Sequence, residues 1–188
     1  MTTSTKALIG VLIAGMTGII IFLFVHLSGG DGAPVIGAKP AAAACLPNEA
    51  CMPDVTFIDT HGTAYTKQQL AGKVVVVNFW ATWCKPCEKE IPDLSHVYDA
   101  HKGDGLVILG VLADDPSPSD LLNFQSDHEM TYPVVRDTNG VIQAFDYPRN
   151  LPTTFIYDRQ GKQVGQPHVG ALREEKLKQL LAPLLASK

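Results

Sequence analysis

A run of four valines leads into an aromatic pair and then into two cysteines two residues apart: VVVVNFWATWCKPCEKEIP, Val74 to Pro92. No other stretch of the chain restricts its folding as tightly. A continuous run of β-branched residues has no polar face to give to water, so it predicts a strand covered on both sides. Proline is tolerated in an α-helix only in the first turn, so Pro86 places a helix start close to Cys84. Apolar positions then recur at Cys87, Ile91, Leu94 and Tyr98, one face of that helix. Strand and helix therefore meet at the cysteines.

This spacing treats the two thiols differently. Cys87 opens the buried face, whereas Cys84, at the helix tip, is expected to face solvent over unpaired backbone N–H groups and the positive end of the helix dipole. Such a setting favours a thiolate and lowers a thiol pKa from ~8.5 to about 7 or less. An exposed acidic thiol beside a shielded one suits thiol–disulfide exchange, in which Cys84 attacks and Cys87 resolves the mixed disulfide. Glu90 stands three residues after Cys87, near the same face, where a carboxylate is costly unless protonated or hydrogen-bonded. It is the candidate acid that moves protons to and from Cys87, against the plainer reading of a solvated helix glutamate. Lys85 adds positive charge beside the outer thiol, though a solvated lysine is its ordinary reading.

Other chemistries for the pair fit poorly. Zinc needs four ligands, usually two such cysteine pairs or added histidines; Cys45 and Cys51 have five residues between them, and no two of the six histidines are four apart. Haem attachment needs a histidine where Glu88 stands. No metal is expected, and no cofactor beyond a redox-active Cys84–Cys87 disulfide. A net charge of −4 without a Lys/Arg run argues against nucleic acid as a partner.

With 188 residues the chain has room for one domain and a tail. Residues 7–27, ALIGVLIAGMTGIIIFLFVHL, are apolar over a length that crosses a hydrocarbon core of ~30 Å. Lys6 precedes them, so residues 1–6 are expected in the cytoplasm, 7–27 in the membrane, 28–51 as a Gly/Ala/Pro-rich periplasmic tether and 52–188 as the folded domain. A cleaved signal with a new terminus near Ala44, or acylation of Cys45, is the alternative; both sit poorly with the distance from Leu27. Pro47 and Asn48 allow a compact turn between Cys45 and Cys51, which are expected to form a structural disulfide.

Within the domain the pattern predicts strands over 55–58, 73–79 and 106–112, and a helix capped at Ser117 that runs to about His128. A strand over 132–135, a helix over 139–145, strands over 153–157 and 162–166, and a closing amphipathic helix over 172–185 follow. Strand, helix, strand in that order implies a right-handed parallel crossover.

The stretch VVVVNFWATWCKPCEKEIP, with LPTTFIYDRQGK some sixty residues on, resembles the membrane-anchored thioredoxin-like proteins of the TlpA and ResA type, which include the cytochrome c maturation reductases. The resemblance implies an α/β thioredoxin fold, a central mixed sheet flanked by helices, behind an N-terminal transmembrane helix. It implies Cys84 as nucleophile, Cys87 as resolving thiol and Glu90 as the acid of that family's site. Trp83, Lys85, Pro86, Leu151 and Pro152 would meet the substrate, with Pro152 in cis facing the disulfide. Thioredoxin itself has a buried aspartate where this chain has Asn78, so the proton-handling role points to Glu90 instead. Implied partners are substrate thiol or disulfide proteins, apocytochrome c haem-binding thiols or another envelope protein, and a membrane electron donor that recharges the pair. A disulfide oxidase or isomerase, or a copper-holding chaperone of the same fold, is the competing reading.

Overall fold

The computed structural model describes Cys45 and residues 49–187. The proposed anchor at 7–27 and most of the tether lie outside the described residues. Among the described residues, no helix is long and apolar enough to cross a membrane.

The valine run forms the middle of the molecule. Strand β3 (Val74–Trp80) is buried at every position and pairs in parallel with β4 (Leu106–Leu112), from Val74 opposite Leu106 to Trp80 opposite Leu112. On its other side it pairs antiparallel with β6 (Thr153–Tyr157). Strand β5 (Val134–Arg136) extends the sheet beyond β4, and β7 (His168–Val169) extends it beyond β6, giving the order β5-β4-β3-β6-β7. Alternation along β3 divides the core. Val75, Val77 and Phe79 pack with Phe57, Leu70, Phe145 and Tyr157 on one face. Val74 and Val76 pack with Leu94, Val97, Leu172 and Leu177 on the other. Each such side chain, fully buried, contributes roughly 1.5–3 kcal/mol of transfer free energy, so the polar Asn78 in the same strand is a costly exception that needs partners.

Helix α2 (Lys85–His101) follows β3 and lays Cys87, Glu90, Ile91, Leu94, Ser95 and Val97 against the sheet. It runs through Pro92 and gives way to a 3₁₀ turn at Lys102–Asp104. Gly105 then reverses the chain at φ 93°, a left-handed conformation that glycine adopts without a steric penalty. Helix α3 (Pro118–Asp127) is capped by Ser117, whose Oγ accepts the Asp120 N–H, and α5 (Glu174–Ala186) packs beside α2 to close the domain.

The structure departs from the pattern-based expectations in four places. The first strand shrinks to β1 (Phe57–Ile58), half of a hairpin with β2 (Ala64–Tyr65). A short helix α1 (Lys67–Leu70) follows, carried by a reciprocal capping box between Thr66 and Gln69; too few residues separate it from β3 to show periodicity. The expected strand over 162–166 reduces to isolated bridges at Lys162 and Gln163. Gly165, at φ 69°, and Pro167, which has no N–H for a ladder, displace the edge strand to His168–Val169. The helix expected over 139–145 is the single turn α4 (Val141–Ala144).

Candidate active site

The crossover from β3 to α2 puts both cysteines at one end of the sheet. Cys84 is the N-cap of α2, and its Sγ accepts the backbone N–H of Cys87 at 3.3 Å, which satisfies one of the unpaired donors of the first turn. The two residues are joined as a disulfide. In this bonded form Cys84 does not stand out into solvent as the spacing suggested: it is 4% exposed and Cys87 0%. Bonding to Cys87 turns the Cys84 sulfur back over the helix, and the apolar cluster of Trp80, Ala81, Ile91 and Leu112 encloses both.

Trp83, 68% exposed, is the large apolar side chain that this end offers to a partner. Lys85 and Pro86 are exposed beside it. Lys85 stays in solvent, and its ammonium pairs with Glu88 at 2.8 Å. The link carrying Trp83 is tied to the tip of β4, where Asp114 Oδ2 accepts the Thr82 N–H at 3.1 Å and the Thr82 hydroxyl at 2.5 Å. Leu151 packs against the cluster that holds the two cysteines, and the Leu151–Pro152 peptide bond is cis. Thr153 lies opposite Phe79 in the sheet, so Pro152 enters β6 at the end where β3 hands over to the cysteine loop.

Glu90 lies one turn into α2 and is 0% exposed. Its Oε1 accepts from Asn78 Nδ2 at 2.7 Å, and its Oε2 accepts the Leu172 backbone N–H at 2.7 Å. Asn78 also donates to Thr154 Oγ1 at 3.0 Å, which ties β3 and β6 to the same carboxyl group. Burial raises the Glu90 pKa to about 7; the Leu172 and Asn78 hydrogen bonds hold it down against that, and Asp93 adds to the rise. A buried carboxyl group that titrates near neutrality can exchange a proton with a neighbouring thiol without a large energetic mismatch. Burial likewise pushes the Tyr132 hydroxyl well above its ordinary value, and the Glu90 charge pushes in the same direction.

Cys45 and Cys51 are also bonded to each other, far along the chain from the first pair. Cys51 bridges to Lys162, and the Cys45 N–H reaches the Gln160 carbonyl, so this disulfide sits on the turn that follows β6. Among the described residues, no group of three or more His, Cys, Asp or Glu side chains is placed to hold a metal ion.

The sequence pattern left out the residues that surround Glu90. The Asn78 amide, the Thr154 hydroxyl and the Leu172 N–H are separated from one another or from Glu90 by 12, 76 and 82 residues of chain. The one available signal was an asparagine inside a valine-rich strand, a polar group that burial obliges to find a partner.

Residues 49–164 match the AhpC/TSA family. The thiol-disulfide oxidoreductase ResA of Bacillus subtilis is 34% identical over 149 residues, covering 79% of this chain and 80% of that protein. ResA of Geobacillus kaustophilus is 35% identical, covering 69% and 73%. Among solved structures, a thiol:disulfide interchange protein of the thioredoxin family from Chlorobium tepidum superposes with a TM-score of 0.67 at 27% identity, over 76% of this chain and all of that one. StoA from Bacillus subtilis superposes with a TM-score of 0.58 at 25% identity, over 69% and 98%. The mixed sheet with helices on both faces is thus the thioredoxin fold.

Proposed function

The chain belongs to the AhpC/TSA family and is a thiol–disulfide oxidoreductase, and on that footing we propose that it reduces protein disulfides through the Cys84–Cys87 pair outside the cytoplasm. The observation that carries this reading is the bonded cysteine pair at the N-cap of α2, with the buried Glu90 carboxyl group one turn further into the same helix.

In the reduced enzyme the Cys84 thiolate is favoured by the Cys87 N–H that points at its sulfur and by the helix dipole. It attacks one sulfur of the substrate disulfide; a mixed disulfide forms and the substrate's other sulfur leaves as a thiolate. Cys87 then gives its proton to the Glu90 carboxylate and attacks Cys84 Sγ. The enzyme disulfide closes and the second substrate sulfur leaves as a thiolate, so two electrons have passed to the substrate; the Cys87 proton rests on Glu90, and the two substrate thiolates take their protons from solvent. Trp83, Lys85, Pro86, Leu151 and Pro152 surround the entry to the pair and meet the substrate chain. A membrane-bound dithiol donor returns the enzyme to its reduced form. By resemblance, cysteines of apocytochrome c before haem attachment are a fitting substrate.

A carboxylate fixed one turn from Cys87 disfavours a second negative charge there, which destabilises the ionised dithiol and supports a reductant over an oxidase. The apolar run at 7–27 and the second disulfide, Cys45–Cys51, support anchoring in the cytoplasmic membrane with the domain on the oxidising side. Equilibration with a glutathione buffer tests the direction of electron flow. A potential nearer the about −270 mV of thioredoxin than the about −120 mV of DsbA is expected; a value at the DsbA end would make the protein an oxidase.

A further inference from the structure

Three fully buried polar atoms on the α2 side of the sheet have no partner in the protein: Asn78 Oδ1, Trp80 Nε1 and the Tyr132 hydroxyl. Their residues are 0%, 0% and 2% exposed. They belong to one place. Asn78 lies directly opposite Gly110 in the parallel β3–β4 ladder, and Trp80 is two residues further along the same face. A side-chain carbon on Gly110 would come within 3.0 Å of Trp80 Nε1 and 2.8 Å of the Tyr132 ring. The three atoms are also complementary. The indole N–H only donates, the amide oxygen only accepts and the tyrosine hydroxyl does both. Leaving each unmade would cost roughly 1–3 kcal/mol.

We propose that Asn78 Oδ1, Trp80 Nε1 and the Tyr132 hydroxyl bind one internal water beside Gly110, and that this water orients the Asn78 amide toward Glu90. Water takes the indole N–H as acceptor, donates to the Asn78 oxygen and exchanges a further bond with the tyrosine, within the two to four partners usual for buried water. With its oxygen held on that side, the Asn78 amide can present only N–H to Glu90, which favours the ionised carboxylate. Freed, the amide can turn over and offer its oxygen to the protonated acid. Asn78 is thus a positioning residue. The other groups that face Glu90 are Asp93 on its own helix, the Leu172 N–H ahead of α5 and Tyr132 ahead of β5. Gly110 is the condition for all of this, because a side chain there would collide with Trp80 Nε1 and the Tyr132 ring and displace them.

The water site stands independently of the proposed part of Glu90 in exchange; only its consequence for the reaction rests on that reading. The full chain, labelled with ¹⁵N and with ¹³C at glutamate side chains, is examined by NMR. The Trp80 indole proton is expected to show cross-relaxation with long-lived water, and to keep it in Tyr132→Phe, where no hydroxyl remains to relay exchange. Gly110→Ala should abolish that signal and raise the Glu90 titration midpoint by roughly half a unit or more. Trp80→Phe, which keeps the glycine and removes one donor, should move the midpoint in the same direction. The site is overturned by a folded wild-type chain without the cross-peak, by its loss in Tyr132→Phe, or by midpoints unmoved in both Gly110→Ala and Trp80→Phe. If the water is found but Glu90→Gln leaves the pH profile of disulfide exchange unchanged, the role given to Glu90 falls and the site remains.

Discussion

The Glu90 carboxylate accepts the backbone N–H of Leu172 at 2.7 Å, a bond between residues 82 apart in the chain that joins the cysteine helix to the entry of α5. Arg173, the next residue, reinforces the joint by donating to the Lys89 carbonyl at 2.8 Å and pairing with Asp93 at 2.9 Å. On the other side of that segment, Gly170 N–H reaches the Pro152 carbonyl at 2.9 Å. Glu90 is therefore hydrogen-bonded into the same short stretch that meets the cis-proline Pro152. A change in its protonation state alters the strength of the bond to the Leu172 N–H.

The raised pKa makes Glu90 a stability element with a definite sign. Its folded value of about 7 lies above the ordinary 4.5, so between those two pH values the folded protein holds more protons than the unfolded chain. Stability from this group is complete below about pH 4.5 and is lost as pH rises to 7. Glu90→Gln should remove the loss. In urea titrations the variant should gain on wild type as pH rises through this window, by on the order of 3 kcal/mol at pH 8. Parallel curves for the two proteins would show that the carboxyl group is not desolvated.

Arg159 anchors the far end of the domain. Its guanidinium donates to four main-chain carbonyls, those of Gly72, Asp104, Leu185 and Ser187, at 2.7–3.2 Å. Two of these belong to the end of α5, where carbonyls lack intrahelical partners. Arg159→Ala should cost about 2–4 kcal/mol and lower Tm by roughly 5–10 °C, while Arg159→Lys, which cannot reproduce the planar fork, should recover less than half. A Tm unchanged in Arg159→Ala would mean that water replaces the guanidinium at no cost.

Local rules made the cysteine end of the molecule legible. The valine run, Pro86 and the recurrence at Cys87, Ile91 and Leu94 all act within a few turns of chain, and β3 and α2 lie where those rules put them. Spacing also put Glu90 on the buried face. It could not give the partners that make burial tolerable, because Asn78, Thr154 and Leu172 reach the carboxyl group only through sheet pairing and helix docking. The same limit applies to β7, where a two-residue edge strand is defined by its pairing with Thr153 and Thr154 and by no pattern of its own. Helix position alone points Cys84 toward solvent, but its bond to Cys87 decides its exposure in the oxidised form.

Location can be tested through the second disulfide and the C-terminus together. A phosphatase that folds only outside the cytoplasm, fused after Lys188, should be active if residues 7–27 anchor the chain as proposed. In the Cys84→Ser/Cys87→Ser double variant, denatured without reductant, thiol counting should find no free thiols. Two free thiols would mean that Cys45 and Cys51 stay reduced in the cell, and an inactive fusion would place the domain in the cytoplasm. The Cys45–Cys51 loop is small, so its removal should cost only about 2 kcal/mol.

The order of events at Cys84 and Cys87 has a sharper test. Reduced enzyme should be alkylated first at Cys84, well below the pH at which an ordinary thiol reacts, because its sulfur accepts the Cys87 N–H at the positive end of α2. Cys87, 0% exposed and one turn from Glu90, should lag. Cys87→Ser removes the group that opens the mixed disulfide, so adducts with a disulfide-bearing substrate should accumulate through Cys84 and persist on non-reducing gels. Cys84→Ser should form no adduct and have no turnover. Glu90→Gln should leave Cys84 alkylation nearly unchanged but slow resolution roughly 10- to 100-fold near neutral pH, since only the second attack needs a proton taken from Cys87. Adducts in Cys84→Ser with none in Cys87→Ser would reverse the two roles. An equal slowing of alkylation and resolution in Glu90→Gln would show that the carboxyl group supports the fold of the site and does not carry the proton.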